Sequence, residues 1–177
     1  MPSFRAVLAT GDSLPIGKGI SKRYDLSGIR LDGYRKNPVL LWAHDMGQLL
    51  GKVDGLRFEG RNLVGVLHVD DGSMLGKEKC RQIARGLLRH VSIGVDGLEF
   101  KQDAKELAVI SAKGGEVDIV GCSLVEVSLV SVPRNPAAVI GDVVGKDGAV
   151  SLREDRLYGK LVVDSGWEYD EGGSSLA

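Results

Sequence analysis

Cysteine is scarce in this chain, and neither sign of charge prevails. The two cysteines among its 177 residues, Cys80 and Cys122, stand outside any CxxC pattern and away from histidines at metal-ligand spacing. That excludes a disulfide-stapled scaffold and a zinc finger. Two unpaired cysteines fit a reducing compartment, each as a small buried hydrophobe. Lys and Arg number 23 against 24 Asp and Glu, a formal net charge of −1, which argues against a protein whose main task is coating nucleic acid. No run approaches the ~18 apolar residues of a membrane span. Met1-Pro2-Ser3-Phe4-Arg5 lacks the charged start and apolar run of a signal peptide, and no internal repeat is evident. The expectation is a soluble cytosolic protein with no membrane partner.

What is present is ordinary for a globular chain: 43% hydrophobic and 27% charged residues. The length suits one domain, or one domain with a tail. A chain of this size buries roughly 70% of its unfolded surface, so it needs neither metal nor disulfide to fold.

Residues 4–9 read as a strand, and 10–38, rich in Gly and polar residues, as a long structured loop or lid. Strand patterns follow at 39–43 and 49–53. Asp54-Gly55 then signals a hairpin turn into 56–59, and 62–69 alternates as a further strand. Residues 74–89 carry the one strong amphipathic helix, with Cys80, Ile83, Ala84, Leu87 and Leu88 on its apolar face. Lys77, Lys79, Arg81, Arg85 and Arg89 lie opposite. Asp70, Asp71 and Ser73 supply acceptors and negative charge at its start. Strands are expected again at 90–100, at 106–112 and along 117–132, which stops at Pro133. These patterns predict a β-rich α+β domain over 1–140, a barrel of about seven or eight short strands with that one strong helix. Residues 141–177, more polar and Gly/Ser-ended, read as a flexible or docking tail.

Few residues could carry chemistry. His44 closes the run Leu40-Leu41-Trp42-Ala43-His44-Asp45, where alternation sets Leu40, Trp42 and His44 on one face. An imidazole at a strand end, between an apolar wall and solvent, suits general-base work; the plainer reading is a satisfied structural histidine. His68 and His90 read as structural. In Val91-Ser92-Ile93-Gly94-Val95, the three apolar residues point into the core and Ser92 and Gly94 face away. Ser92 beside a glycine on an open strand face leaves room for an extended peptide; a solvated strand serine is the plainer reading. Glu126 is one carboxylate within a strand of Val, Leu and Ser, and burying it requires a partner donor, for which the His44 ring N–H is a candidate. A water-facing edge-strand glutamate is the alternative. Ser, His and Glu together supply a nucleophile, a base and an orienting group.

Three blocks in this order resemble the prohead maturation proteases of tailed bacteriophages. They are Tyr34-Arg35-Lys36-Asn37-Pro38-Val39-Leu40-Leu41-Trp42-Ala43-His44-Asp45, Val91-Ser92-Ile93-Gly94, and Leu124-Val125-Glu126-Val127-Ser128 running on to Pro133-Arg134-Asn135-Pro136. His44 precedes Ser92 by 48 residues and Ser92 precedes Glu126 by 34. Pro15-Ile16-Gly17, Asp32-Gly33-Tyr34 and the basic helix fit the same family, and the likeness spans residues 3–140. Ala43 stands where Asn is common, and Arg134 where Ala is common. The resemblance implies an assemblin-like β-barrel with smaller peripheral helices, similar to the herpesvirus assemblins. It also implies Ser92 as nucleophile, His44 as general base, and Glu126 as third member. The implied substrate is the scaffold protein, or the scaffold-like segment of the major capsid protein, inside the assembling prohead in the host cytoplasm. Self-cleavage and a homo-oligomer are compatible with it, and no metal or organic cofactor is implied.

Other readings compete with this one. A non-catalytic capsid or scaffold component could keep the fold. The helix 77–89, five Lys and Arg against one Glu, could meet nucleic acid, though no aromatic stacking set accompanies it. Cys122, sharing a strand face with Leu124 and Glu126, could serve a cysteine hydrolase, but no cation is evident to lower its thiol.

Overall fold

The computed structural model describes residues 1–144 and 150–151. β1 (Ser3–Thr10) turns Phe4, Ala6 and Leu8 inward and Ser3, Arg5 and Val7 less so, the period-2 pattern of a sheet buried on one face. The segment read as a loop is more ordered than its composition indicates. It holds β2 (Leu14–Gly17), β3 (Ile20–Tyr24), a 3₁₀ turn at Leu26–Gly28, β4 (Ile29–Arg30) and the short helix α1 (Asp32–Lys36). These pieces are too short to show periodicity. They are ordered by pairing with a distant strand, not by their own pattern.

β5 (Val39–Trp42), β6 (Asp45–Glu59) and β7 (Asn62–Val69) form a meander. Asp54-Gly55 is not its turn. β6 runs straight through, and its register on β7 passes from Asp54↔Val66 to Arg57↔Val64, a bulge. Gly55 takes φ +59° there, so the same Asp-Gly signal serves a bulge instead of a hairpin. The turns lie at Ala43-His44 and at Gly60-Arg61.

α2 (Met74–Ala84) is capped by Ser73, whose hydroxyl accepts from the Gly76 N–H at 3.0 Å. It ends five residues earlier than the apolar pattern predicts. Gly86 and Leu87 donate back to Ile83 and Gln82, closing a Schellman motif. Leu87 is thereby turned out, 69% exposed, while Leu88 stays in the core. Lys79 departs from the charged face: it is only 8% exposed, with its Nζ 3.6 Å above the centre of the Trp42 ring.

β8 (His90–Phe100) follows as expected, but 106–112 is not a strand. Asp103 and Glu106 make a reciprocal capping box, and α3 (Ala104–Lys113) results. Alternating Leu107 and Val109 imitated a strand, whereas the caps and helix-forming Ala, Lys and Glu decide the outcome. β9 (Gly115–Val130), β10 (Ile140–Val144) and β11 (Val150–Ser151) complete the set. The paired sheet thus continues past residue 140. The rest of the expected tail, 145–149 and 152–177, lies outside the described residues.

The described strands form one mixed sheet in the order β11-β10-β1-β7-β6-β5-β9-β3-β2, with β4 and β8 also on β9. A strand-rich α+β fold is thus as expected. β9 takes β3, β4 and β5 in parallel along one edge and β8 antiparallel along the other. Segment 138–140 bonds both ways: Val91 N–H to Ala138 O at 3.1 Å, Ile140 N–H to Arg89 O at 2.8 Å, and Val7 N–H to Val139 O at 2.9 Å. Leu40, Leu50, Leu63, Leu67, Ile83, Val91, Val127 and Leu129 are fully enclosed within one apolar cluster.

Candidate active site

The site begins at a hairpin whose two turn residues both have left-handed backbones. Trp42 pairs with Asp45, and between them Ala43 has φ +53° and His44 φ +62°, as a type I′ turn requires. Such a backbone costs an L-residue about 1–2 kcal/mol. Neighbouring bonds hold it: Ala43 N–H donates to Leu129 O at 2.9 Å, and His44 N–H to Ser128 Oγ at 3.1 Å. Asp45 accepts from the Gly47 N–H and the Gln48 side chain. Strand alternation therefore does not reach His44. The turn, not the pleat, places its ring, and the side chain is 46% exposed.

Glu126 lies on β9, the strand beside β5, and is only 5% exposed. The donor its burial requires is present. His44 Nδ1 lies 2.6 Å from Glu126 Oε1, and Ser128 Oγ–H donates to Glu126 Oε2 at 2.6 Å. The aim of this carboxylate depends on a β-bulge. Pairing with β8 jumps from Gly94↔Glu126 to Val95↔Leu124, leaving Val125 as the extra residue. Leu124 consequently packs in the core, and the shared face expected for Cys122, Leu124 and Glu126 does not exist. Burial also raises the Cys122 thiol above its ordinary value, the opposite of what a nucleophilic cysteine needs. Cys80 is pushed up to about 12, chiefly by burial.

Ser92 is half-buried on β8, directly opposite Ser128. Val91 and Ile93 pack inward as expected, so Ser92, Gly94, Glu126 and Ser128 share one face. Gly94 makes the arrangement sterically feasible. A Cβ on it would overlap Glu126 Oε1 and crowd its Cγ at 2.9 Å. The carboxylate thus leans over β8, and His44, bonded to the same oxygen, is held beside the strand that carries Ser92. The hairpin turn and β9 thus join His44 and Glu126, 82 positions apart, while pairing of β8 with β9 sets Ser92 opposite Ser128 and Gly94 opposite Glu126.

Supporting contacts surround this group. Tyr34 is buried and its hydroxyl donates to Val39 O at 2.7 Å. Burial first, and the Glu126 charge second, raise its phenol, so it stays neutral. Lys79 over Trp42 fastens the hairpin base to α2 and also donates to Gln82 at 3.2 Å. His68 and His90 have partners elsewhere, Ser3 Oγ at 2.7 Å and Ala138 O at 3.3 Å. Among the described residues, no group of three or more His, Cys, Asp and Glu could hold a metal ion, and no helix is long and apolar enough to cross a membrane. Sequence reasoning gave no role to Ser128 and read Gly94 only as space for a peptide. The readable signal was Glu-x-Ser, which on a strand puts both side chains on one face.

A buried carboxylate is bonded to a half-exposed imidazole, and Ser92 lies on the adjoining strand; a serine, a histidine and a carboxylate are the residue types of serine-type acyl transfer. A family profile described as caudovirus prohead serine protease matches residues 31–151, a span that includes all three. The chain belongs to that family. No curated protein and no solved structure matches it.

Two variants check this geometry. Gly94→Ala should displace the carboxylate and lower proteolysis by roughly 100-fold while circular dichroism shows a folded chain; full activity would refute the packing described. Ala43→Asn places a residue tolerant of the left-handed region in the turn. It should stabilise the chain by about 0.5–1 kcal/mol, read as a higher melting temperature. An unchanged or lower one would mean the turn is not strained.

Proposed function

We propose that this chain is a serine endopeptidase of phage head maturation, with Ser92 as nucleophile, His44 as general base and Glu126 as the group that orients the imidazole. The observation that carries the reading is the 2.6 Å pair between His44 Nδ1 and Glu126 Oε1. A carboxylate that only accepts keeps the proton on Nδ1 and leaves Nε2 unprotonated, the form a base requires. Nε2 takes the Ser92 hydroxyl proton as Oγ attacks the scissile carbonyl carbon. Glu126 stabilises the imidazolium, which then protonates the departing amine as the C–N bond breaks. Water, deprotonated by the same imidazole, attacks the carbonyl carbon of the Ser92 ester; as the bond from that carbon to Oγ breaks, the imidazolium returns the proton to Ser92 Oγ and the acid product leaves.

The substrate we propose is the scaffold protein or the scaffold-like segment of the major capsid protein, cleaved within the assembling prohead in the host cell. Residues 1–140 carry the bulk of the protease, β10 and β11 extend its sheet to residue 151, and the chain beyond serves as a docking, packaging or self-processing segment. Bonding of segment 138–140 to both β8 and β1 supports a barrel of the assemblin kind. A non-catalytic capsid component keeping the fold is disfavoured, because burying Glu126 is costly and only its partners make it tolerable.

Co-expression with the capsid and scaffold proteins of the same phage, followed by intact-mass spectrometry, tests the proposal. Discrete cleavage products are expected with the wild type and none with Ser92→Ala. Identical masses with both, the proteins being folded, would favour the non-catalytic component.

A further inference from the structure

Ser128 is fully buried at a strand position where valine or leucine would be the ordinary occupant. Its hydroxyl has one hydrogen and two lone pairs, and the neighbours decide the use of each. The His44 main-chain N–H can only donate, so Oγ accepts it at 3.1 Å. The Glu126 carboxylate can only accept, so the hydroxyl hydrogen goes to Oε2 at 2.6 Å. Oε1 meanwhile receives Nδ1–H of the same histidine. The bonds close a ring that begins and ends on His44, joining its backbone and its imidazole through Ser128 and Glu126.

We propose that Ser128 is a positioning residue for the His44–Glu126 pair, an inference that rests on the proposed roles of Ser92, His44 and Glu126. The ring fixes the carboxylate in the plane that meets the imidazole, and it anchors the strained turn from which the imidazole projects. It also separates two serines that face each other across β8 and β9. The Ser128 proton is committed to Glu126, so of the two serines it is Ser92, on the neighbouring strand, that the proposed roles leave to His44. A hydroxyl present only to satisfy a buried lone pair would have no influence on the nucleophile.

The test uses the full chain and a fluorophosphonate probe, which needs no knowledge of the peptide substrate. Ser92 Oγ forms a bond to phosphorus, fluoride leaves, and the hydroxyl proton passes to His44. Labelling should be absent in Ser92→Ala; if that variant labels like the wild type, the active-site reading fails, and the Ser128 role with it. With Ser92 required, Ser128→Ala should label roughly 10–100-fold more slowly at saturating probe, with half-saturation changed less than about 2-fold. Ser128→Thr, which keeps the hydroxyl, should recover most of that rate. In a Glu126→Gln background, Ser128→Ala should cost less than about 3-fold more, since both act through one ring. Wild-type labelling by Ser128→Ala would overturn the proposal while leaving the catalytic roles intact, as would an equal loss in the Glu126→Gln background. Should Ser128→Ala not fold, Ser128→Cys, of similar volume with a weaker donor, decides: slower labelling at saturating probe with half-saturation little changed is expected, and the wild-type rate with an intact fold refutes the role.

Discussion

A carboxylate almost removed from water within a β-strand is the constraint on which the site depends. Isolated in such a place, a carboxylate costs several kcal/mol. It is tolerated because both oxygens receive donors, one from an imidazole and one from a hydroxyl. Hydrogen bonds to charged groups are worth about 1.5–3 kcal/mol each, enough to offset a turn with two left-handed residues costing about 1–2 kcal/mol apiece. Satisfying Glu126 and straining the hairpin are therefore one event.

The fold supplies that event through β9. Sixteen residues long, it receives β5 on one edge and β8 on the other, so the hairpin of His44 and the strand of Ser92 flank the carboxylate. The bulge at Val125 turns Glu126 away from the core while Leu124 and Val127 stay within it. Gly94 then admits the carboxylate over β8. A regular β9, or any larger residue at 94, would direct the same side chains elsewhere.

Much of this was legible in the residues. The alternation of Val91, Ile93 and Val95 correctly turned Ser92 and Gly94 away from the core, and an acid amid Val and Leu correctly demanded a donor. The resemblance to phage prohead proteases selected the histidine, the serine and the glutamate. What escaped depended on pairing between distant segments. Alternation through Trp42 and His44 failed because a turn intervenes, and Ala43-His44 at its centre carries neither residue of the Asn-Gly signal that marks type I′ geometry. Asp54-Gly55 was read as a hairpin because a bulge asks for the same residues. Residues 106–112 followed their capping box instead of their alternating apolar side chains. Ser128 escaped notice because a lone strand serine acquires meaning only when its neighbours are known.

The central claim is that the Glu126-oriented imidazole serves Ser92 as its base. A crystal structure of the chain after reaction with a peptidyl phosphonate tests it most directly. The expected result is phosphorus bonded to Ser92 Oγ, His44 Nε2 within about 2.6–3.2 Å of that oxygen, and Nδ1 still on Glu126. An adduct on another residue, or an imidazole bound to Glu126 but turned away from Ser92, would contradict it.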